Sequence, residues 1–355
     1  MSSITFVDKT TVVPASWLND VNNAVYSGLG MVAGSIPPSF TGTVGGIKNF
    51  LHNPGLSVAQ RGITGSLAAN TGTYCPDRWI VYSAGSTASW NIGTSGAPPF
   101  SPSYLYLGGA TGNTGFSISQ RLEAIDCAPL VGKTVTLSLA ADCQGSISTL
   151  PITYSIYAPT SVDNWPGGYS SIATGTFATI NTLWSRYSAS FVMPTSAVNG
   201  LQITFTFGAV PASSAIAVGG FQLELGSVMT SVEIPCKAWE TQRCQRYLIV
   251  RGGGNANEGI AVLQAVSTTV AYGAITFPNA MRVAPTPAYS AVTDFALTNN
   301  VGGFLTASAI GFVDAGVLGG EYQITIGSAS LVAGNATRFL CNTTTNARLY
   351  LSAEL

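Results

Sequence analysis

Apolar and polar residues alternate with a period of two along most of the chain beyond residue 46. Successive side chains of a β-strand point to opposite faces, so this period indicates strands with one buried face and one polar face. Segments rich in Gly, Pro, Ser and Asn separate the runs, which is typical of the turns in an antiparallel sandwich. The clearest runs lie at residues 79–82, 135–139, 152–156, 201–207 and 221–225. The pattern predicts a jelly-roll β-sandwich over residues 46–248.

The N-terminal part of the chain follows a helical period instead. Trp17, Leu18, Val21 and Val25 fall on one face of a helix, and Ser16 can cap its first turn. A helix of about ten residues is too short to be stable alone in water, so its apolar stripe must dock on another surface. That surface belongs to copies of the same chain, to another protein, or to the helix's own domain, and the sequence leaves the three open.

A glycine- and asparagine-rich segment at residues 251–257 marks a second change along the chain. Beyond it, further alternating runs occupy residues 270–277, 303–312, 322–326 and 347–351. We therefore predict a mainly β protein with three parts: a short N-terminal helical anchor with its linker over residues 1–45, the sandwich, and a smaller C-terminal β domain over residues 249–355. The chain has no fixed-period repeat, which weighs against β-helices and propellers.

Charge is scarce and balanced. Charged residues make up 8% of the chain and its net charge is -1, against about 25% charged residues in an average domain. No basic cluster is present, so binding to nucleic acid is not expected. Mean hydropathy is +0.33, but no stretch of about 20 apolar residues could span a membrane, and the N-terminus lacks a secretory signal. We expect no membrane insertion, and we expect apolar surface to be buried between subunits.

Few residues are suited to catalysis or to metal binding. The six cysteines form no CxxC pair and His52 is the only histidine, so we expect buried, reduced thiols, no metal and no cofactor. No nucleophile elbow, phosphate-binding loop or calcium loop occurs. A glycosidase needs only two carboxylates, for which the chain offers Glu123, Asp126, Asp163, Glu224 and Glu240. We predict that the protein is not an enzyme.

Aromatic residues in turn-rich segments indicate sugar binding more strongly. Trp165 and Tyr169 lie in a segment rich in Gly and Pro, which predicts that Trp165 lies outside the core. Trp90 and Tyr104 flank a second such loop. Aromatic faces stack on the C–H surfaces of sugars, so these four residues are candidate glycan-binding residues. The alternative is that the same rings pack between subunits.

Short motifs occur in an order that resembles one known group of proteins. They are NPG at 53–55, QRG at 60–62, DRW at 77–79, SQRLE at 119–123, GKTVTL at 132–137, WSRY at 184–187, FQLELG at 221–226 and ETQRCQRY at 240–247. The set resembles the carbohydrate-binding-module-like jelly roll of tailed-bacteriophage fibre proteins. Residues 277–286 and 353–355 are similar to the distal module of such fibres. Residues 10–22 resemble the virion-anchoring start of podovirus tail fibres and tailspikes.

The resemblance implies a homotrimeric virion fibre, in first place a tail fibre. Its N-terminus would attach to a head–tail adaptor or another tail protein, and its β domains would contact polysaccharide on the host cell surface. The protein would be assembled in the bacterial cytoplasm and reside in the virion. A capsid (head) fibre or decoration protein is the main alternative. A tailspike glycanase is the second, although such enzymes usually resemble long β-helices.

Several motif residues have an expected structural role. Arg78 beside Asp77, and Arg121 beside Glu123, are expected to form ion pairs that tie the edges of the sandwich together. Gln120, Gln222 and Gln245 are expected to satisfy backbone groups where strands end.

Overall fold

Two six-stranded antiparallel sheets form the first part of the protein, which we describe from a computed structural model covering residues 48–98, 100–299 and 301–355. The predicted anchor residues Trp17, Leu18, Val21 and Val25 lie outside these ranges. The twelve strands are β1 (Thr64–Leu67), β2 (Gly72–Tyr74), β3 (Ile80–Ala84), β4 (Ala88–Gly93), β5 (Tyr104–Gly108), β6 (Gly115–Leu122), β7 (Thr134–Gln144), β8 (Ile152–Pro159), β9 (Tyr169–Thr176), β10 (Ser185–Val192), β11 (Leu201–Phe207) and β12 (Ala215–Leu225).

The two sheets pack face to face as a sandwich. One has the strand order β1-β4-β5-β12-β7-β10 and the other the order β2-β3-β6-β11-β8-β9. Alternation decides which side chains face inward: Leu201, Ile203 and Phe205 of β11 are fully buried, whereas Gln202 between them is only partly covered. The Phe205 ring lies 5.3 Å from the ring of Phe221 on the other sheet. The core is thus built from the apolar positions of the period-two pattern.

Short helices connect the sheets and close one end of the sandwich. Helix α1 (Ala124–Cys127) continues into a 3₁₀ turn (Ala128–Leu130), and a second 3₁₀ turn (Thr195–Asn199) precedes β11. Helix α2 (Lys237–Gln245) follows the last strand of the sandwich. Its buried Glu240 accepts a hydrogen bond from the backbone N–H of Asn53 at 2.7 Å, which fixes α2 against the segment that leads into the sandwich. No helix within the three described ranges is long and apolar enough to cross a bilayer.

The C-terminal part is a small closed barrel beside a three-stranded sheet. The barrel order is β14-β15-β19-β18-β17-β20, and the sheet order is β13-β21-β16. Closure leaves no free strand edge in the barrel. The strands are β13 (Leu248–Arg251), β14 (Gly259–Ala265), β15 (Val270–Thr276), β16 (Thr286–Tyr289), β17 (Phe295–Thr298), β18 (Phe304–Val313), β19 (Gly319–Ile326), β20 (Ala336–Cys341) and β21 (Leu349–Ser352), with a 3₁₀ turn (Val292–Asp294) before β17.

The predicted fold class is confirmed. The described chain is mainly β, with a sandwich followed by a smaller β unit, and every run of alternating residues named above overlaps a strand. Five of the six cysteines are buried, and Cys236 is exposed.

The ion pairs form with distant partners rather than with the neighbours in sequence. The buried guanidinium of Arg78 pairs with Glu354 near the C-terminal end of the chain. Glu123 accepts a bidentate pair of hydrogen bonds from Arg246, at 2.7 and 2.8 Å. Arg121 has no ion pair with any described residue; it donates to the backbone oxygen of Leu355 at 2.6 Å. These contacts join the sandwich to α2 and the C-terminal segment instead of tying sandwich edges together.

Two of the three glutamines bond backbone groups, although these groups lie in segments outside the strands and not at strand ends. The side chain of Gln120 donates to the backbone oxygen of His52 and accepts from its N–H, at 2.8 and 2.7 Å. Gln222 accepts from the backbone N–H of Glu233 at 2.7 Å. Gln245 accepts from a side-chain amide instead.

Candidate functional site

Three aromatic side chains come together at one edge of the outer face of the second sheet. Tyr157 lies on β8 and Tyr169 opens the edge strand β9; their ring centroids are 5.6 Å apart at right angles. The ring of Trp165, in the loop between these strands, lies 5.8 Å from that of Tyr169. Half of Tyr169 is exposed to solvent. We call Tyr157, Trp165 and Tyr169 the aromatic surface.

The prediction that Trp165 lies outside the buried interior is wrong. Only 3% of Trp165 is exposed, because the loop folds its indole over the guanidinium of Arg121, whose carbon lies 4.7 Å from the ring centroid. The indole N–H has no hydrogen-bond partner among the described residues. A turn-rich sequence indicated a loop correctly, but it did not indicate that the loop's largest side chain covers an outward-facing arginine. Trp165 supports the surface, and Tyr169 presents the accessible ring.

Trp90 and Tyr104 lie elsewhere, on strands of the first sheet. Trp90 belongs to the hydrophobic core and is 6% exposed, with its indole packed over Gly65. Tyr104 is half-buried and makes an edge contact with Trp184, at 5.6 Å between centroids. Its hydroxyl donates to the backbone oxygen of Ser95 at 3.0 Å. The four predicted residues therefore do not form one site.

A row of polar side chains continues from the aromatic surface across the sheet. The strand register aligns Arg121, Gln202 and Tyr157 on neighbouring strands β6, β11 and β8. Arg121 Nε donates to Gln202 Oε1 at 2.8 Å, and Gln202 Nε2 donates to the hydroxyl of Thr204 at 3.1 Å. Thr204 shares a hydrogen bond of 3.0 Å with Ser119. Sequence reasoning missed these residues, although they occupy the polar positions of the alternating pattern.

A cleft of about 350 Å³ lies at the end of the sandwich that the short helices close. Its walls come from the segment before β1, from α1 with the turn that follows it, and from α2: Asn49, Phe50, His52, Ile125, Asp126, Pro129, Trp239 and Arg243. Trp239 and Arg243 are four residues apart, so they share one face of α2. The Arg243 guanidinium carbon lies 4.6 Å from the Trp239 ring centroid.

The His52 imidazole is neutral in this environment. Burial lowers its pKa well below the ordinary value of 6.5, and the charges of Arg243, Arg78 and Arg246 lower it further. Its Nδ1 accepts from Arg78 Nε at 3.4 Å, which leaves the proton on Nε2. Nε2 lies 3.7 Å from Asp126 Oδ2, beyond hydrogen-bond length. Burial and the nearby charge of Glu123 raise the pKa of Asp126.

Most of the carboxylates that could serve a glycosidase already have structural partners. Although burial acts to raise the pKa of Glu123, hydrogen bonds from Arg246 and Tyr247 hold it below the ordinary value. Glu224, Glu240 and Asp163 accept from the backbone N–H groups of Thr230, Asn53 and Ala124, respectively. Asp126 alone of the five lines the cleft. No group of three His, Cys, Asp or Glu side chains suited to a metal ion occurs in the described ranges.

The fold and these surfaces define a two-part β protein with an aromatic and polar face on its sandwich. No protein-family model matches the chain, and no curated protein sequence matches it significantly. Among solved structures, the enzymatically active domain of tailspike protein 4 from bacteriophage CBA120 is 17% identical over 42% of this chain and 19% of that one, with a TM-score of 0.31. This chain thus spans about a fifth of that protein's length.

Two further solved structures are similar to about half of the chain. The CBM22-1 xylan-binding domain from Paenibacillus barcinonensis Xyn10C is 12% identical over 46% of this chain and 95% of that one, with a TM-score of 0.30. A putative sugar binding protein from Bacteroides thetaiotaomicron is 9% identical over 50% of this chain and 100% of that one, with a TM-score of 0.34. Similarity at this level does not transfer a function, so the function must be argued from the residues.

Proposed function

We propose that this protein is a fibre subunit of a tailed-bacteriophage virion that binds glycans on the host cell surface through its sandwich. The ordered motifs between residues 53 and 247 support the fibre assignment. The observation that carries glycan binding is the half-exposed ring of Tyr169, held by Tyr157 and Trp165 beside the polar row that begins at Arg121 and Gln202. An aromatic ring stacks on the apolar face of a sugar, and neighbouring amide and hydroxyl groups can bind its hydroxyls.

The aromatic surface is preorganised for this task. Tyr157 meets Tyr169 edge-on, and Arg121 is fixed by Gln202 and by the overlying indole of Trp165. Because these side chains already have defined partners, binding a sugar would order few additional groups, which lowers the entropic cost of association. We propose that the protein binds glycans without cleaving them, since structural contacts engage four of the five candidate carboxylates.

A glycan array tests the proposal with a matched control. Full-length protein should bind a subset of bacterial surface glycans, and Tyr169→Ala should reduce that binding by about fivefold or more, since an aromatic contact and its burial are worth about 1–3 kcal/mol. Tyr289→Ala serves as the control, because Tyr289 is also partly exposed, at 39%, but lies on β16 in the C-terminal part. Equal binding by wild type and Tyr169→Ala would remove the aromatic surface from the proposal.

The proposed assembly is a homotrimer attached to the virion by the N-terminal segment. Three weak sites on one fibre, and several fibres on one particle, would raise the effective affinity for a polysaccharide. Light scattering of the full-length protein should give a trimer mass, and a monomer would contradict this assembly. Deletion of residues 1–40 should abolish incorporation into virions while the β domains stay folded. On wild-type virions, electron microscopy with a labelled antibody to this protein would distinguish a tail fibre from a capsid fibre.

A further inference from the structure

Three polar groups in the cleft have unused hydrogen-bonding capacity. The Nε2–H of His52 and both carboxylate oxygens of Asp126 have no hydrogen-bond partner within the described part of the chain. Arg243 uses one nitrogen, Nη1, for Glu240 and the backbone oxygen of Leu51. Its remaining N–H groups make no hydrogen bond to a described residue. Two donors and one acceptor therefore border the same small space.

The charges of these groups favour a neutral ligand. His52 is uncharged, Asp126 contributes one negative charge, and Arg243 contributes a positive charge that is partly balanced by Glu240, to which it donates at 3.2 Å. A free anion would meet the Asp126 carboxylate, and a free cation would meet the Arg243 guanidinium. A pair of neighbouring hydroxyl groups suits both, because each hydroxyl donates one hydrogen bond and accepts others.

Apart from Asn49, the rest of the cleft is apolar, and the cleft is small. Phe50 and Trp239 contribute aromatic surface, and Ile125, which is 76% exposed, contributes an aliphatic side chain at the rim. The volume of about 350 Å³ is at the lower end of the range of about 300–1,000 Å³ that is usual for ligand sites. A single sugar ring combines an apolar face with hydroxyl edges, which matches both parts of the cleft.

We propose that this cleft is a second sugar-binding site, separate from the aromatic surface, which takes one neutral pyranose ring. The sugar's hydroxyls bind Asp126 and Arg243, the Nε2–H of His52 donates to a hydroxyl at the base, and the C–H face of the ring lies against the apolar wall. The site shares no residue with the aromatic surface. The Asp163 carboxylate accepts from the Ala124 N–H at 2.8 Å, which links the loop that carries Trp165 to α1.

The single histidine provides a direct readout. Full-length protein carrying ¹⁵N-labelled histidine is titrated with methyl glycosides of glucose, galactose, mannose and N-acetylglucosamine, and the His52 ring signals are followed by NMR. We expect a saturable shift of the Nε2 signal with at least one glycoside. Asp126→Asn should weaken that binding by about tenfold or more, because a hydrogen bond to a charged group contributes about 1.5–3 kcal/mol. Circular dichroism checks that the variant is folded.

The two proposed sites can be tested independently of each other. Tyr169→Ala should leave the His52 shift unchanged, because that ring belongs to the aromatic surface. No shift with any of the four glycosides would overturn the proposal, as would an equal shift in wild type and Asp126→Asn. Methyl glucuronoside serves as the acidic probe, and a shift with this sugar alone would overturn the assignment of a neutral ligand.

Discussion

The buried contact between Arg78 and Glu354 predicts a large loss of stability when the carboxylate is neutralised. The side chains are 1% and 7% exposed, so solvent cannot replace a lost partner. In Glu354→Gln, Arg78 would keep its contacts with His52 and Tyr247 but would retain an uncompensated buried charge. Breaking a buried ion pair in this way costs about 3–5 kcal/mol. We expect the unfolding free energy to fall by that amount.

Urea denaturation followed by circular dichroism measures this loss. Asp314→Asn is the control: Asp314 is exposed, and its carboxylate makes no hydrogen bond or ion pair with the described residues. The control should change stability by less than about 0.5 kcal/mol. The effects of the two substitutions should not be additive. The double variant Arg78→Met/Glu354→Gln should lose less stability than the sum of the losses in the two single variants. A loss below about 1 kcal/mol in Glu354→Gln would show that the Arg78–Glu354 contact does not stabilise the fold as a buried ion pair.

Histidine protonation, core packing and backbone conformation should each affect the stability of the fold. Just below pH 6.5 only the unfolded state binds a proton at His52, so the unfolding free energy should fall as pH decreases. This residue contributes at most about 1.4 kcal/mol per pH unit. A His52→Gln variant with the same pH dependence of stability as wild type would contradict this. Phe205→Ala should cost about 3–5 kcal/mol in urea denaturation, and a loss under about 1 kcal/mol would contradict its core position. Gly252→Ala should lower Tm, because its φ is +84° and an added Cβ would lie 2.8 Å from the Ala347 oxygen. Gly327→Ala, with open space around it, is the control, and equal Tm values would contradict the prediction.

The strands were predictable from the sequence because burial on one face of a sheet imposes its period directly on the residues. The runs around Leu137, Ile203 and Leu223 therefore coincide with β7, β11 and β12. The same pattern separates inward from outward positions, so it contains the polar row at Gln202 without revealing that the row adjoins an aromatic surface.

Contacts between distant segments were not predictable in this way. Arg78 lies beside Asp77 in sequence but pairs with Glu354, 276 residues away. The Asp77 carboxylate instead accepts hydrogen bonds from Gln60. Such partners depend on how the sandwich, α2 and the C-terminal segment pack together, and no local pattern encodes that arrangement.

The cleft was also not predictable from the sequence, because it forms between distant segments. His52, Asp126 and Arg243 come from three separate segments, and no local sequence pattern brings them together. Trp239 and Arg243 could have been paired by their helical spacing, but nothing in the sequence places α2 against α1.

Glycan binding by the aromatic surface is tested most directly by a structure of the full-length protein bound to an oligosaccharide selected on the glycan array. We expect a sugar ring against Tyr169, with hydroxyl groups within hydrogen-bond distance of Arg121 or Gln202. An oligosaccharide that binds the protein but leaves Tyr157 and Tyr169 without contact would contradict the proposed function of the aromatic surface.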